Sequence, residues 1–283
     1  MDIKKSSDII QYLMDKKFSY PEKTYKLKNF AYFCYQGNRV FDLDSVDTSE
    51  GTDFSHMFCD CSNVRYMNIS ELDTSKGTDF SGMFRACTNL EIVPNLDTSN
   101  GTKFSEMFCS CKKLTSIPQL DTSNGSYFNG MFQNCYKLTS IPNLDTSKGI
   151  YLREMFSGCQ ALISIPRLDV GRNCDFSNMF RNCYVLQDLY LYNIKQSITI
   201  GSGTSYGHLL TLDSLIHIIN ELHPVAYSQT LTMGGANIAK LNGLYCKIID
   251  NTNEKLPMVL CESTDDGAML VSDYITGKGW AYD

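Results

Sequence analysis

Six cysteines recur in register along the chain, at positions 61, 87, 111, 135, 159 and 183. Thiols bind soft metals and pair as disulfides, so a periodic set first raises zinc coordination and cross-linking. Cys59/Cys61 and Cys109/Cys111 are C-x-C pairs, and neither a C-x-x-C nor a nearby histidine completes a zinc site. Each clocked cysteine stands four residues after the Met of a Met-Phe pair, on the apolar face of what reads as a short helix. There it acts as a small buried hydrophobe. Helices in neighbouring units should lie about 8–10 Å apart, beyond disulfide reach. The expectation is a reduced core ladder of Cys61, Cys87, Cys111, Cys135, Cys159 and Cys183, packed with Met107, Phe108 and their counterparts, with no metal. Reduced thiols suit folding in a cytoplasm.

Other residue types invite chemistry more weakly. Asp47, Asp73, Asp97, Asp121, Asp145 and Asp169 keep the same clock, most within Asp-Thr-Ser. One carboxylate per unit is sparse for calcium, which takes six to eight oxygens, so capping of nearby backbone N–H groups is the better reading. His217 and Glu221 share a helix face at i, i+4, without a second ligand cluster or nucleophile, and read as an exposed pair. The stretch GSGTSYG (201–207) lacks the lysine of a phosphate loop and the spacing of a dinucleotide fingerprint, and reads as a linker. Nothing here makes an enzyme or calls for a cofactor. Aromatic residues at variable repeat positions are the remaining candidates. Tyr127 and Tyr151 share one position, Tyr136 and Tyr184 another. If exposed, they suit sugar rings or protein hot spots; otherwise they cover the helix side.

These residues are positioned by an internal repeat. Met-Phe occurs at 57–58, 83–84, 107–108, 131–132, 155–156 and 179–180, spaced by 26 and then four times by 24. In the unit LDTSNGTKFSEMFCSCKKLTSIPQ (96–119), Phe104, Met107, Phe108, Cys111 and Leu114 form one helical stripe. Ile117 then points inward from a short extended piece, and Asp121 to Gly125 reads as a turn. Strand, turn, helix and return make one coil of a solenoid. A single coil cannot repay the entropy of ordering it, so the coils must stack and be capped.

Four segments follow: an N-terminal cap (1–41), the repeat (42–190), a closing module (191–243) and an α+β appendage (244–283). Ser6 or Ser7 starts a short amphipathic helix with Ile9, Ile10, Leu13 and Met14 on one face. The stretch 211–222 reads as a helix N-capped by Thr211, with Leu212, Leu215, Ile216, Ile219 and Leu222 inward. Then come a strand at 230–234 and a helix at 236–241. The appendage reads as strands at LYCKIID and PMVLCE, a helix at 266–276 and a last strand at Trp280–Tyr282, with Trp280 packing the terminal cap.

Twenty-five basic against 31 acidic side chains, net −6, argue against a general nucleic-acid binder. No apolar run nears the ~20 residues of a membrane span, and the start lacks the apolar stretch of a signal peptide.

The repeat resembles the BspA-like leucine-rich repeat, whose units read much like LDTSxVTxMxxMFxxCxxLxxL. Leu96, Asp97, Thr98, Ser99, Met107, Phe108, Cys111 and Leu114 carry the match, with their counterparts in other coils. Two positions depart from it: Gly replaces the family's Val after the turn (Gly77, Gly101, Gly125, Gly149), and Phe replaces its Met at 80, 104, 128 and 176. Residues 211–241 resemble the segment that closes such solenoids, with a pattern SLxxIIN…TLTxGxxNxAKL. The resemblance implies an α/β repeat: a leucine-rich-repeat-like solenoid of about six 24-residue coils, each a short strand plus a short helix. It also implies a surface-exposed binding or adhesion role, as on gut and oral bacteria and their bacteriophages, and no chemistry.

With no export signal, the leading expectation is a bacteriophage virion component, a tail or head decoration binding host surface or other virion proteins. It would oligomerise through the particle. The alternative is a bacterial cell-surface adhesin for a host protein or glycan. A glycan-modifying enzyme ranks third, for want of paired carboxylates. Neither nucleic acid nor membrane insertion is expected.

Overall fold

The computed structural model describes residues 28–34, 36, 47–67, 69, 72–171, 175–195, 197–200, 210–224, 229–232, 235–249 and 258–282. The N-terminal helix expected from Ser6 onward and the linker 201–207 lie outside them. Over the repeat, successive coils lie parallel and in register. Bridges join Asn29 to Asp53, Asp53 to Asp79, Asp79 to Lys103, Lys103 to Tyr127, Tyr127 to Tyr151 and Tyr151 to Asp175.

The segment expected to be helical in each coil is not a helix. In the unit at 104–111, Met107 N–H donates to Phe104 O, Cys109 to Glu106 O and Cys111 to Phe108 O. The intervening amides of Phe104, Glu106, Phe108 and Ser110 donate to Tyr127, Asn129, Met131 and Gln133 of the next coil. Of these eight N–H groups four thus bind the neighbour and three close tight turns. An α-helix would spend all of them internally and leave the coils unjoined. The third residue of alternate turns has positive φ, as at Glu106 (56°) and Ser110 (63°), the type II geometry. That conformation recurs four residues apart in each coil, at 82/86, 130/134, 154/158 and 178/182. Gly or Asn fills most of these places, a turn signal that the i, i+3, i+4 spacing of apolar residues masked. Those apolar residues are buried all the same.

In-register stacking converts each repeat position into a ladder. Phe30, Phe54, Phe80, Phe104 and Phe128 stack at 5.4–5.9 Å between ring centroids. Phe58, Phe84, Phe108, Phe132, Phe156 and Phe180 form a second column. Gly101 is required beside the first: a Cβ there would stand 2.4 Å from Phe104 Cζ and 2.9 Å from Thr98 O. Phe30 and the backbone bonds of residues 30–36 to Asp53, Ser55, Met57 and Cys59 make 28–36 a further coil, inside the segment read as the N-terminal cap. Cys34 there takes the column place of Phe58, since its amide bonds Met57 O as Phe58 bonds Met83 O.

The stack ends in paired strands. β1 (Ser164–Asp169) pairs in parallel with β2 (Asp188–Tyr192), and α1 (Leu212–Glu221) packs on β2. Thr211 caps α1, its side chain accepting from Ser214 N. Ser214, Leu215, Ile218 and Ile219 are buried, whereas Leu212, expected inward, is exposed. His217 and Glu221 are not an exposed pair. His217 Nε2 is 3.0 Å from Leu191 O, its ring edge-on to Tyr190 and Tyr192, and Glu221 accepts from Asn193 N.

Between β2 and α1 lies β3 (Ile198–Thr199), and beyond α1 come β4 (Gln229–Thr232), α2 (Gly235–Leu241), β5 (Tyr245–Ile248), β6 (Met258–Cys261), β7 (Met269–Leu270), α3 (Val271–Gly277) and β8 (Trp280–Tyr282). Sheet order is β3-β4-β8 and β6-β5-β7. The last strand therefore returns to β4, and the boundary placed at 243/244 does not separate two folding units. Trp280 is buried and donates to His223 O at 2.8 Å. Buried Lys278 donates to Leu222 O at 2.9 Å and Ile219 O at 3.4 Å, supplying carbonyls at the end of α1.

Candidate functional site

The cysteine ladder sits where the sequence put it, fully buried, but its thiols are held apart by a different cause. Hydrogen-bonded coils are about 4.8 Å apart, far closer than the helix spacing expected, so distance does not prevent pairing. In-register side chains run side by side, and a disulfide needs them to converge. Each thiol instead donates to a carbonyl of the preceding coil: Cys87 to Phe58, Cys111 to Phe84, Cys135 to Phe108, Cys159 to Phe132 and Cys183 to Phe156, at 3.0–3.1 Å. No disulfide joins the cysteines among the described residues. Burial pushes the Cys183 thiol up to about 12 and raises those of Cys111, Cys135 and Cys159. A thiol so held is neither nucleophile nor ligand.

The Asp-Thr-Ser turn divides its labour. Asp97 Oδ1 accepts from both the amide and the hydroxyl of Ser99, and the same Asp-to-Ser amide bond recurs at 47, 73, 121 and 145. These bonds hold the Asp73, Asp97, Asp121 and Asp145 carboxyls below the usual range. The intervening threonine is buried and crosses to the next coil, as Thr98 Oγ1 to Asp121 O and Thr122 Oγ1 to Asp145 O, both 2.9 Å. That second role was not read from the sequence, where threonine looked like one more turn residue. Asp121, Asp145 and Asp169 border a groove of about 500 Å³ with Arg167 in its wall. Among the described residues no three His, Cys, Asp or Glu side chains gather as a metal site.

The candidate tyrosines are exposed, as are Tyr32, Tyr66 and Ile92. Tyr127 is 38% and Tyr151 43% exposed, with Ile150 beside them at 40%. The two rings stack 5.4 Å apart at 20°. They continue a surface column in which Asn29 donates to Asp53 at 2.9 Å and Lys103 reaches Asp79 at 2.9 Å. Tyr136 and Tyr184 are exposed as well, but one coil, carrying Gln160, separates them. Lys112 Nζ lies 5.9 Å from the Tyr136 ring centre. The structure thus joins the first pair and leaves the second apart. Stacking joins the first pair into one rigid exposed unit, each ring with one face on the other, and rigid aromatic groups of this kind suit protein contacts.

The family model described as "Mycoplasma protein of unknown function, DUF285" matches residues 27–141 and again 114–203, together more than half of the chain. The chain belongs to this family. The first match begins at the extra coil around Phe30, and the two together span the stack and its first cap strands. No curated protein and no solved structure matches the chain. Among the described residues, no helix is long and apolar enough to cross a membrane.

Proposed function

We propose that this chain is a non-enzymatic recognition protein of the BspA-like surface-repeat type, its stack a leucine-rich-repeat-like solenoid that binds a partner protein. The observation that carries the reading is the exposed Tyr127–Tyr151 pair with Ile150 on an otherwise polar column. Rigid aromatic side chains contribute large contact area at low entropic cost, and the ladder beneath fixes their spacing. The setting is a bacteriophage particle or a bacterial surface. The family description, which names a bacterium, favours the second.

Two experiments test this. Mass spectrometry of gradient-purified particles beside washed cell envelope decides the setting: stoichiometric recovery in one excludes the other. For the surface, labelled wild-type protein and a Tyr127→Ser/Tyr151→Ser variant are added to host cells. Wild type should be retained and the variant washed off, with Tyr184→Ser behaving as wild type. Equal retention of the double variant, or release of wild type by soluble host glycan, overturns the protein-binding reading.

A further inference from the structure

Asparagine is among the chemically labile residues, and four asparagines stand directly before glycine: Asn100, Asn124, Asn129 and Asn242. Glycine has no Cβ to hinder its own backbone nitrogen, so at each step that nitrogen could attack the preceding carboxamide. The reaction needs a glycine N–H that solvent base can reach and a side chain that can swing onto it. The fold treats the four steps differently.

Within the stack the nucleophile is occupied. Gly101 N–H donates to Thr98 O and Gly125 N–H to Thr122 O, both at 2.8 Å, and both glycines are buried. Gly130 N–H donates to Arg153 O of the next coil at 2.9 Å. Two of the carboxamides are tied as well. Asn100 Nδ2 donates to Ser75 O at 2.7 Å and Asn124 Nδ2 to Ser99 O at 2.9 Å, while Asn124 Oδ1 accepts from Lys148 Nζ. Asn129 keeps its Oδ1 buried. Each of these steps reacts only when its coil opens.

Asn242 and Gly243 form an exposed turn between α2 and β5, closed by Leu244 N–H on Leu241 O at 3.2 Å. Gly243 has a φ of 76°, and beyond its chain neighbours nothing stands within 4 Å of the place a Cβ would take. Among the described residues neither its N–H nor the Asn242 carboxamide has a hydrogen-bond partner.

We propose that Asn242 is a site of spontaneous backbone modification, converted through a cyclic succinimide to aspartate and isoaspartate. Solvent base takes the Gly243 amide proton, the nitrogen attacks Asn242 Cγ, and the carboxamide nitrogen leaves as ammonia. Water then opens the ring at either carbonyl. The net change is carboxamide plus water to carboxylate plus ammonia. Opening at the backbone carbonyl lengthens the main chain by one carbon just before β5, the strand that pairs with both β6 and β7. Either product also sets a negative charge at the C-terminal end of α2, where the helix dipole disfavours it. The cap thus collects an age-dependent change, while the stack keeps Asn124, three residues before Tyr127, as it was made. The inference is independent of the protein-binding reading.

The test is incubation of the full chain at mildly alkaline pH in heavy-oxygen water, followed by peptide mapping with mass spectrometry. The peptide holding Asn242 should gain a heavy-oxygen carboxylate and split into aspartate and isoaspartate forms. It should do so at least about tenfold faster than those holding Asn100, Asn124 and Asn129, whose glycine amides must first be released. Unfolding in guanidinium should bring the four to similar rates, because glycine follows each. Asn242→Gln should abolish the gain at that position. Modification at Asn100, Asn124 or Asn129 as fast as at Asn242 in the folded chain overturns the proposal. So does a rate at Asn242 that unfolding raises as much as it raises the other three.

Discussion

The repeat stack and the C-terminal cap solve the same problem of satisfying backbone and burying apolar surface by opposite means. In the stack, identical side chains repeat in columns: phenylalanine on phenylalanine, thiol to carbonyl, threonine to the next coil. No single contact is unique, and stability is a sum of neighbour terms. In the cap each contact occurs once. Lys278 holds the end of α1, Trp280 holds His223, and Asn220 both donates to Met258 O and accepts from Met258 N. A column spreads a defect to the coils on either side, whereas a unique latch confines it to what it fastens.

Alkaline pH should separate the two regions most. A thiol whose pKa is raised by burial keeps its proton in the folded chain while the unfolded chain loses it. Its stabilisation is complete below the ordinary value near about 8.5 and is lost as pH rises toward the folded value. For Cys183 that upper limit is about 12, and burial raises Cys111, Cys135 and Cys159 in the same direction. The cap contributes Cys246, pushed up to about 11. Urea midpoints should fall steeply between pH about 9 and 12, and replacing Cys111 and Cys135 with alanine should flatten the fall. An unchanged slope would mean that the ladder does not control it.

Truncating one large ring in each region tests how far a defect spreads. Phe108→Ala and Trp280→Ala should each cost about 3–5 kcal/mol in urea denaturation. Hydrogen exchange should then accelerate in the coils flanking Phe108 in the first variant, and only beyond residue 188 in the second. Exchange confined to one coil in Phe108→Ala would contradict the neighbour-coupled picture.

Glycine substitution sharpens the comparison within the stack. Gly101→Ala should cost about 3 kcal/mol, because the new Cβ meets both a ring and a backbone carbonyl. Gly149→Ala should cost less. Leucine stands at 152 where other coils have phenylalanine, and the nearest side-chain atom is 3.5 Å away, although Thr146 O remains at 2.9 Å. Smallest of all, Thr122→Val should lose about 1–2 kcal/mol by removing the donor to Asp145 O at nearly constant volume. Equal stability would make the threonine a packing residue alone.

Much of this was legible beforehand because the repeat clock reports burial directly. Phe104, Met107, Phe108, Cys111 and Leu114 are buried as their spacing required. Thr211 capped its helix, and Trp280 packed the end. The conformation of the buried segment was not legible, since apolar residues at i, i+3 and i+4 face inward on a helix and on linked turns alike. Gly82, Gly130 and Gly158, with asparagine at 134, 178 and 182, were the available evidence of left-handed backbone. The candidate surface was half legible: the shared position of Tyr127 and Tyr151 is in the sequence, and their contact is not.

The sequence by itself determined which residues turn inward, because a strict period can only be kept by side chains that meet the same surroundings in every coil. Tertiary structure decided where the backbone hydrogen bonds go, since a coil's amides choose between their own chain and a neighbour only when the neighbour is there. The same choice set the spacing between coils. That spacing made the cysteines thiol donors, the threonines bridges, and two tyrosines 24 residues apart a single stacked pair.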